Sequence, residues 1–423
     1  MGLLDPLTAI VVSFCLLGVL LYKRVNLGIT LTATAIVLGL LSLDWQSIPI
    51  IAYRTVDPST GDGLLAISVI LATFGIMWLS MLYEETGQMA RLSESTSRLV
   101  KNPKIVLSIL PAIIGLLPVA GGALLSSPIV DAEAEKLKLK PEKKTFVNVW
   151  FRHVILPIYP LSQLLILTAG LTGVAIFSLI MLQMPIFIVM IVVGFLMSFW
   201  KTTVAKDDKA EETLGKTSSD LRDFVITFSP ILTTIVVAVL INVSGYGFSQ
   251  RGFDVLIATF VGVAVLALIS RSKLKTLMKP LRGLSIYGVT LAVYGAFLLR
   301  NMMNEAGISK ILQPLVLNGS LDFTVLLTVV PMALGFLTGS PLGAIAMGVS
   351  IVAGFLKTFT PKTSMLLYIS AYLGYNIAPT HLCLTFTADY FKCPLTKVYK
   401  YMIPSSIITF TAALIVYFLP FPI

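Results

Sequence analysis

Long apolar runs separated by short polar loops dominate this chain. Runs of membrane-spanning length, about 20 residues for a helix, fall near 5–22, 28–43, 64–83, 146–170, 174–198, 224–243, 253–270, 283–303, 364–388 and 402–420. Two further apolar stretches are built from arms too short to cross. The first, about 105–135, joins Ile105–Pro118 to Ala123–Glu133 through the tip PVAGG, and the second, about 323–356, turns at LTGSPLG. Each pattern predicts a re-entrant hairpin, so the expectation is ten crossings and two hairpins. The windows 146–170 and 364–388 carry Pro157 and Pro160, and Pro379. Proline removes a backbone donor and clashes with the carbonyl one turn back, which predicts helices broken mid-window. Open backbone at membrane depth persists only where protein or a wet cavity satisfies it. A hairpin tip beside a broken helix is therefore the predicted binding site.

The same pattern occurs twice. An offset of 220 residues pairs Gly63 with Gly283, Gly75 with Gly295, Glu85 with Glu305, Gly87 with Gly307, Pro111 with Pro331, Gly115 with Gly335 and Pro141 with Pro361; at 219, Pro160 meets Pro379, Thr168-Ala169 meets Thr387-Ala388, and Pro185 meets Pro404. Chance alignment of membrane sequences matches Leu, Ile and Val, not breakers in register. Each copy holds five crossings, an odd number, so the second must be inverted relative to the first. The expected fold is an all-α polytopic membrane protein of two inverted-topology repeats, residues 1–200 and 223–423, joined by a polar linker at 201–222.

Composition agrees. Hydrophobic residues make up 56% of the chain and charged residues 12%, and the mean hydropathy is +0.91, which excludes a soluble globule. The net charge of +10 fits basic cytoplasmic loops better than nucleic acid. With both termini outside, the inner loops hold 24 of the 31 basic residues, the outer loops six, and Arg152 lies within a helix. The positive-inside rule thus predicts both termini outside a cytoplasmic membrane. The first apolar run, Leu7–Leu21, lacks a basic leader and a cleavage site and reads as a retained helix. Cys15, Cys383 and Cys393, with two histidines, show no metal-ligand spacing, so neither a metal nor a cofactor is expected.

Paired hairpins, each followed by a proline-broken helix within inverted halves, resemble the ion-transporter superfamily, which includes gluconate permeases, citrate–metal symporters, the large membrane subunit of TRAP transporters and divalent-anion:sodium symporters. Within it, GLLPVAGGALLSSPIVDAEAEKL is similar to a little-characterised prokaryotic integral-membrane family carrying a domain-of-unknown-function label. The resemblance covers nearly the whole chain. It implies secondary transport of a small, usually anionic solute by an elevator-like movement of the hairpin domain, and by analogy a homodimer. Relatives that couple to sodium often carry Ser-Asn-Thr at the tips, where this chain has Val119-Ala120-Gly121-Gly122 and Thr338-Gly339-Ser340-Pro341. The coupling ion is left open between H+ and Na+.

The candidate substrate-binding residues are the tip residues Ala120, Gly121, Gly122, Thr338, Gly339 and Ser340, whose small size lets a ligand approach helix-end backbone, or which serve close helix packing. To these are added Ser126 on the first hairpin, Ser162 and Gln163 at the first break, and Asn376, Thr380 and His381 at the second. Arg152 is the most informative single residue, because an arginine inside an apolar segment costs a few kcal/mol or more unless paired or wet. It can face an anionic solute, pair with Asp131, or snorkel to the interface. Asp131, expected to be the deepest carboxylate, together with His153 and His381, is the candidate for the coupling ion. No protease or hydrolase motif occurs, so the expectation is a transporter rather than an enzyme, with an ion channel or a cation/proton antiporter as the alternative.

Overall fold

Asp5 accepts hydrogen bonds from the backbone N–H groups of Leu7 and Thr8, each at 3.1 Å, and Pro6 fills the first helical position, where a missing donor costs nothing. The same punctuation of short polar caps followed by proline opens helices at Asn102-Pro103, Ser340-Pro341 and Thr360-Pro361. In the computed structural model of the protein, the described residues are 2–420 except 101, 119–121, 201, 203–216, 245–251, 309, 312–313, 315–317, 319–321 and 357. Most of the expected linker and the first tip's Val119, Ala120 and Gly121 therefore lie outside the described residues.

Among the described residues there are nineteen α-helices and a 3-10 turn at Pro280–Arg282, and no strand. The first ten are α1 (Pro6–Tyr22), α2 (Leu27–Ser42), α3 (Ser47–Arg54), α4 (Gly61–Glu85), α5 (Gln88–Leu99), α6 (Pro103–Gly115), α7 (Ala123–Glu135), α8 (Pro141–Val154), α9 (Gln163–Thr172) and α10 (Ile176–Phe199). They are followed by α11 (Thr217–Val243), α12 (Phe253–Ser270), α13 (Leu274–Met278), α14 (Leu284–Glu305), α15 (Phe323–Thr338), α16 (Pro341–Ala353), α17 (Pro361–Asn376), α18 (Leu382–Tyr390) and α19 (Leu395–Phe418).

Six helices, α4, α10, α11, α12, α14 and α19, are long and apolar enough to cross a bilayer. Large apolar side chains stay exposed on them, such as Ile188, Leu240 and Leu268, as a lipid-facing surface requires. These features suggest a membrane-spanning protein. Two expected crossings, α1 and α2, are shorter, at 17 and 16 residues. The two windows expected to be broken are each divided, 146–170 into α8 and α9 and 364–388 into α17 and α18. The pairs expected as hairpin arms are short helices of 13 residues each for α6 and α7, and of 16 and 13 residues for α15 and α16.

Packing sorts the helices into two groups, each drawing on both halves of the chain. In one, α2 lies along α14 and α4 packs on α12 and α14. Small residues permit the close approach: a β-carbon at Gly28 would stand 2.6 Å from the Gly288 carbonyl oxygen, and one at Gly295 would stand 2.9 Å from the Leu31 β-carbon, as is common between membrane helices. In the other group, α6 packs on α8, α15 on α16 and α17, and α19 on α10 and α17. The groups meet where α9 contacts α4 and α16 contacts α14.

Candidate functional site

The first break occupies residues 155–162, between α8 and α9. An unbroken helix would have sent the N–H of residue 157 to the carbonyl of His153 and that of residue 160 to Leu156. Both positions are proline, and α17 supplies substitutes: the Tyr372 hydroxyl donates to the His153 carbonyl at 2.9 Å, and the Tyr368 hydroxyl to the Leu156 carbonyl at 3.0 Å. The second break, residues 377–381, lies between α17 and α18. Gly339, with φ of +58°, turns the chain between α15 and α16 in the left-handed region that glycine tolerates. A β-carbon there would stand 2.3 Å from Thr380 Oγ1, so this tip sits directly on the second break.

Between these segments lies a cavity of about 480 Å³. Of the residues singled out by sequence, Arg152, His153, Ser162, Gln163, Gly339 and Ser340 line it, joined by Gly115 to Pro118 at the end of α6 and by Tyr375 and Cys383 from the second half. Arg152 is 4% exposed and its Nη2 donates to the Leu117 carbonyl at 3.5 Å. Gly115 and Gly122 make room for it. A β-carbon at Gly115 would stand 2.0 Å from the Arg152 carbonyl oxygen, and one at Gly122 would stand 2.4 Å from Nη2.

Among the described residues, several buried polar atoms around the breaks have no hydrogen-bond partner: Gln163 Nε2, both side-chain atoms of Asn376, and His381 Nε2. An orphaned buried donor or acceptor costs about 1–3 kcal/mol, so three residues of this kind at two adjacent breaks call for an occupant or ordered water. His153 and His381 stack edge to face with ring centroids 4.8 Å apart, and the Tyr375 hydroxyl donates to His153 Nε2 at 3.3 Å.

The remaining candidates are placed elsewhere. Ser126 is buried and donates to Asn148 Oδ1 at 2.5 Å. Asn148 in turn donates to the Ala123 carbonyl at 2.8 Å, to Ser127 Oγ at 3.0 Å and to Thr387 Oγ1 at 3.2 Å. It ties the first short-helix pair to α18 of the other half. Thr338 Oγ1 donates back to the Leu334 carbonyl at 2.7 Å, and Ser340 Oγ accepts from the Gly343 N–H at 3.2 Å, so both also shape their own turn. Thr380 packs on Gly339 but does not line the cavity. Asp131 departs from expectation: its side chain is 40% exposed and pairs with Lys144 Nζ at 2.6 Å. A basic neighbour thirteen residues on draws it out of the interior, so Arg152 does not pair with it.

Sequence reasoning missed Asn148, Tyr375 and Cys383. Asn148 was the one with a signal, an amide within an apolar window, where it must find partners.

Over residues 6–419 the chain matches the family described as "Protein of unknown function (DUF401)". The chain belongs to that family. No curated protein matches it in sequence.

Proposed function

We propose that the protein is a secondary active transporter that moves a small, carboxylate-like organic anion across the cytoplasmic membrane, coupled to H+ or Na+. The observation that carries this reading is the cavity itself: a buried guanidinium at one wall, two interrupted helices and a glycine turn around it, and unsatisfied amide and imidazole groups at the breaks. A buried arginine attracts a carboxylate strongly, because little solvent competes for either charge. Gln163 Nε2, an orphaned donor on a cavity-lining residue, supplies a further hydrogen bond to an anion.

The reading extends to topology. The short pairs α6–α7 and α15–α16 act as re-entrant hairpins entering from opposite faces, within two inverted repeats with both termini outside. Support comes from a matched contact in the two halves. Gly115 meets the Arg152 carbonyl, and its repeat mate Gly335 meets the Ala371 carbonyl, where a β-carbon would stand 2.3 Å away. Arg152 and Ala371 are themselves mates at the offset of 219. In this reading the group containing both hairpins moves as an elevator against the group built on α2, α4, α12 and α14, as the resemblance to the ion-transporter superfamily implies.

The test is uptake by proteoliposomes. A panel of labelled mono-, di- and tricarboxylates, under imposed pH or sodium gradients, is expected to include at least one solute with saturable, gradient-dependent accumulation. Absence of uptake for every organic anion, with protein that elutes as a folded species, overturns the proposal; flux that rises linearly with concentration points to a channel instead.

A further inference from the structure

His381 and Cys383 are two residues apart at the second break, and the fold brings His153, more than two hundred residues earlier, up to them. One ligand atom of each lies within 4.8 Å of the other two, and all three residues are buried. The backbone sets the tautomers. His153 Nδ1 lies 2.7 Å from the Val149 carbonyl, and His381 Nδ1 3.4 Å from the Asn376 carbonyl. A carbonyl only accepts, so each Nδ1 carries the hydrogen and each Nε2 presents a lone pair. This is the arrangement in which an outer carbonyl orients a metal-binding imidazole. Among the described residues His381 Nε2 has no hydrogen-bond partner, although the residue is 1% exposed.

We infer that His153, His381 and Cys383 form a three-ligand site for a thiophilic d10 metal ion of the zinc or copper(I) class, with its fourth position open to the cavity. Two imidazoles and a thiolate are a soft donor set, which selects such ions over sodium, magnesium or calcium. Among the described residues lining the cavity there is no carboxylate, so a hard cation has no anionic ligand there. Bonds of about 2.0–2.1 Å to nitrogen and 2.3 Å to sulfur place tetrahedral ligands roughly 3.3–3.6 Å apart. No pair needs to close by more than about 1.5 Å, which side-chain rotation supplies.

Binding displaces the thiol proton of Cys383, which leaves as H+ while the sulfur binds as thiolate. The thiolate offsets one of the two charges of a divalent ion. His153 and Cys383 both line the cavity, so an incoming ligand can reach the open position. The Tyr375 hydroxyl, which caps His153 Nε2 in the metal-free arrangement, gives way to the ion. This inference does not rest on the transport reading, since it concerns equilibrium binding without solute or gradient.

The experiment uses the purified full chain in detergent, stripped with a chelator and titrated with Zn2+. The expected result is saturable binding of about one zinc per chain. Co2+ at the same site is expected to show the visible bands of a tetrahedral ion and a near-ultraviolet thiolate charge-transfer band. Cys383→Ser removes that band and His381→Asn weakens binding by at least about tenfold, whereas Cys393→Ser leaves both unchanged. Where a variant does not fold, X-ray absorption on the zinc-loaded native chain gives the answer: one sulfur and two imidazoles in the coordination shell uphold the site. Absence of saturable zinc binding, a shell without sulfur, or a cobalt spectrum unmoved by Cys383→Ser overturns it.

Discussion

The Tyr372 hydroxyl donates to the carbonyl oxygen of His153 at 2.9 Å, the carbonyl that Pro157 leaves without its helical donor. Tyr368, one turn earlier on α17, serves the Leu156 carbonyl orphaned by Pro160 at 3.0 Å. Two tyrosines four residues apart thus repair two proline lesions three residues apart, and the broken segment of one half is held by the continuous helix of the other.

That relation grades two substitutions. The His153 carbonyl also receives the Leu156 N–H at 3.1 Å and the Ile155 N–H, so Tyr372→Phe leaves it with backbone donors and costs about 0.5–1.5 kcal/mol. Tyr368→Phe strips the part-buried Leu156 carbonyl of the hydroxyl that replaces its helical donor, at about 1–3 kcal/mol. Thermal unfolding in detergent is expected to rank Tyr368→Phe as the more destabilised. Equal midpoints, or the reverse order, would show that the breaks are not held in this way.

The matched glycines make a second prediction. A β-carbon at Gly335 would stand 2.3 Å from the Ala371 carbonyl oxygen and 2.7 Å from the Tyr375 nitrogen, and one at Gly115 2.0 Å from the Arg152 carbonyl oxygen. These neighbours are backbone and cannot swing aside, so Gly115→Ala and Gly335→Ala each cost about 1–3 kcal/mol. Gly18→Ala, with open space around it, is expected to be neutral or slightly stabilising, since alanine is the better helix former. Loss of stability at Gly18 equal to that at Gly335 would remove the steric argument.

What could be read from the chain alone follows from where breakers fall. Pro157, Pro160, Pro379 and the glycines of the two tips announce interrupted backbone whatever surrounds it, and most helix ends lie within a few residues of the predicted limits, whereas α11 and α19 begin seven residues early, at Thr217 and Leu395. Arg152 was conspicuous because a charge in an apolar window must be accommodated. The roles of Tyr368, Tyr372 and Tyr375 were hidden, because α17 is buried all round from Thr363 to Asn376 and no polar face separates one tyrosine from another. Cys383 reads as a packing residue until the fold sets it beside two histidines. Asp131 misled because its depth was judged from position along the arm, while its ion pair depends on how α7 meets α8.

Asp131 supplies a third prediction. Lys144 is 9% exposed and has two carboxylate partners, Asp131 and the more exposed Glu135. Asp131→Asn alone costs less than about 1 kcal/mol, as for pairs near the surface. Combining it with Glu135→Gln leaves a nearly buried ammonium with neither carboxylate, and the double variant is expected to lose more stability than the two singles together. On the proposed transport function, uptake and its ion dependence are expected to survive Asp131→Asn, because the carboxylate does not line the cavity. A changed coupling ratio in that variant would return Asp131 to the coupling role.

The last prediction separates the charge of Arg152 from its shape. The guanidinium lies against Gly122, reaches the Leu117 carbonyl and lines the cavity, so its fork is held in place before a solute arrives. Lysine keeps the charge but offers a point donor on a flexible stem. Loss of a charged hydrogen bond is worth about 1.5–3 kcal/mol, so Arg152→Lys should raise the KM for uptake roughly 10–100-fold with transport retained, and Arg152→Gln should abolish saturable uptake. Gly122→Ala pushes on a mobile side chain rather than on backbone. It is expected to raise KM through Arg152 while leaving the unfolding midpoint near that of the native chain. If Gly122→Ala lowered stability with no change in KM, the first tip would be a packing contact and the anion would have to be held elsewhere.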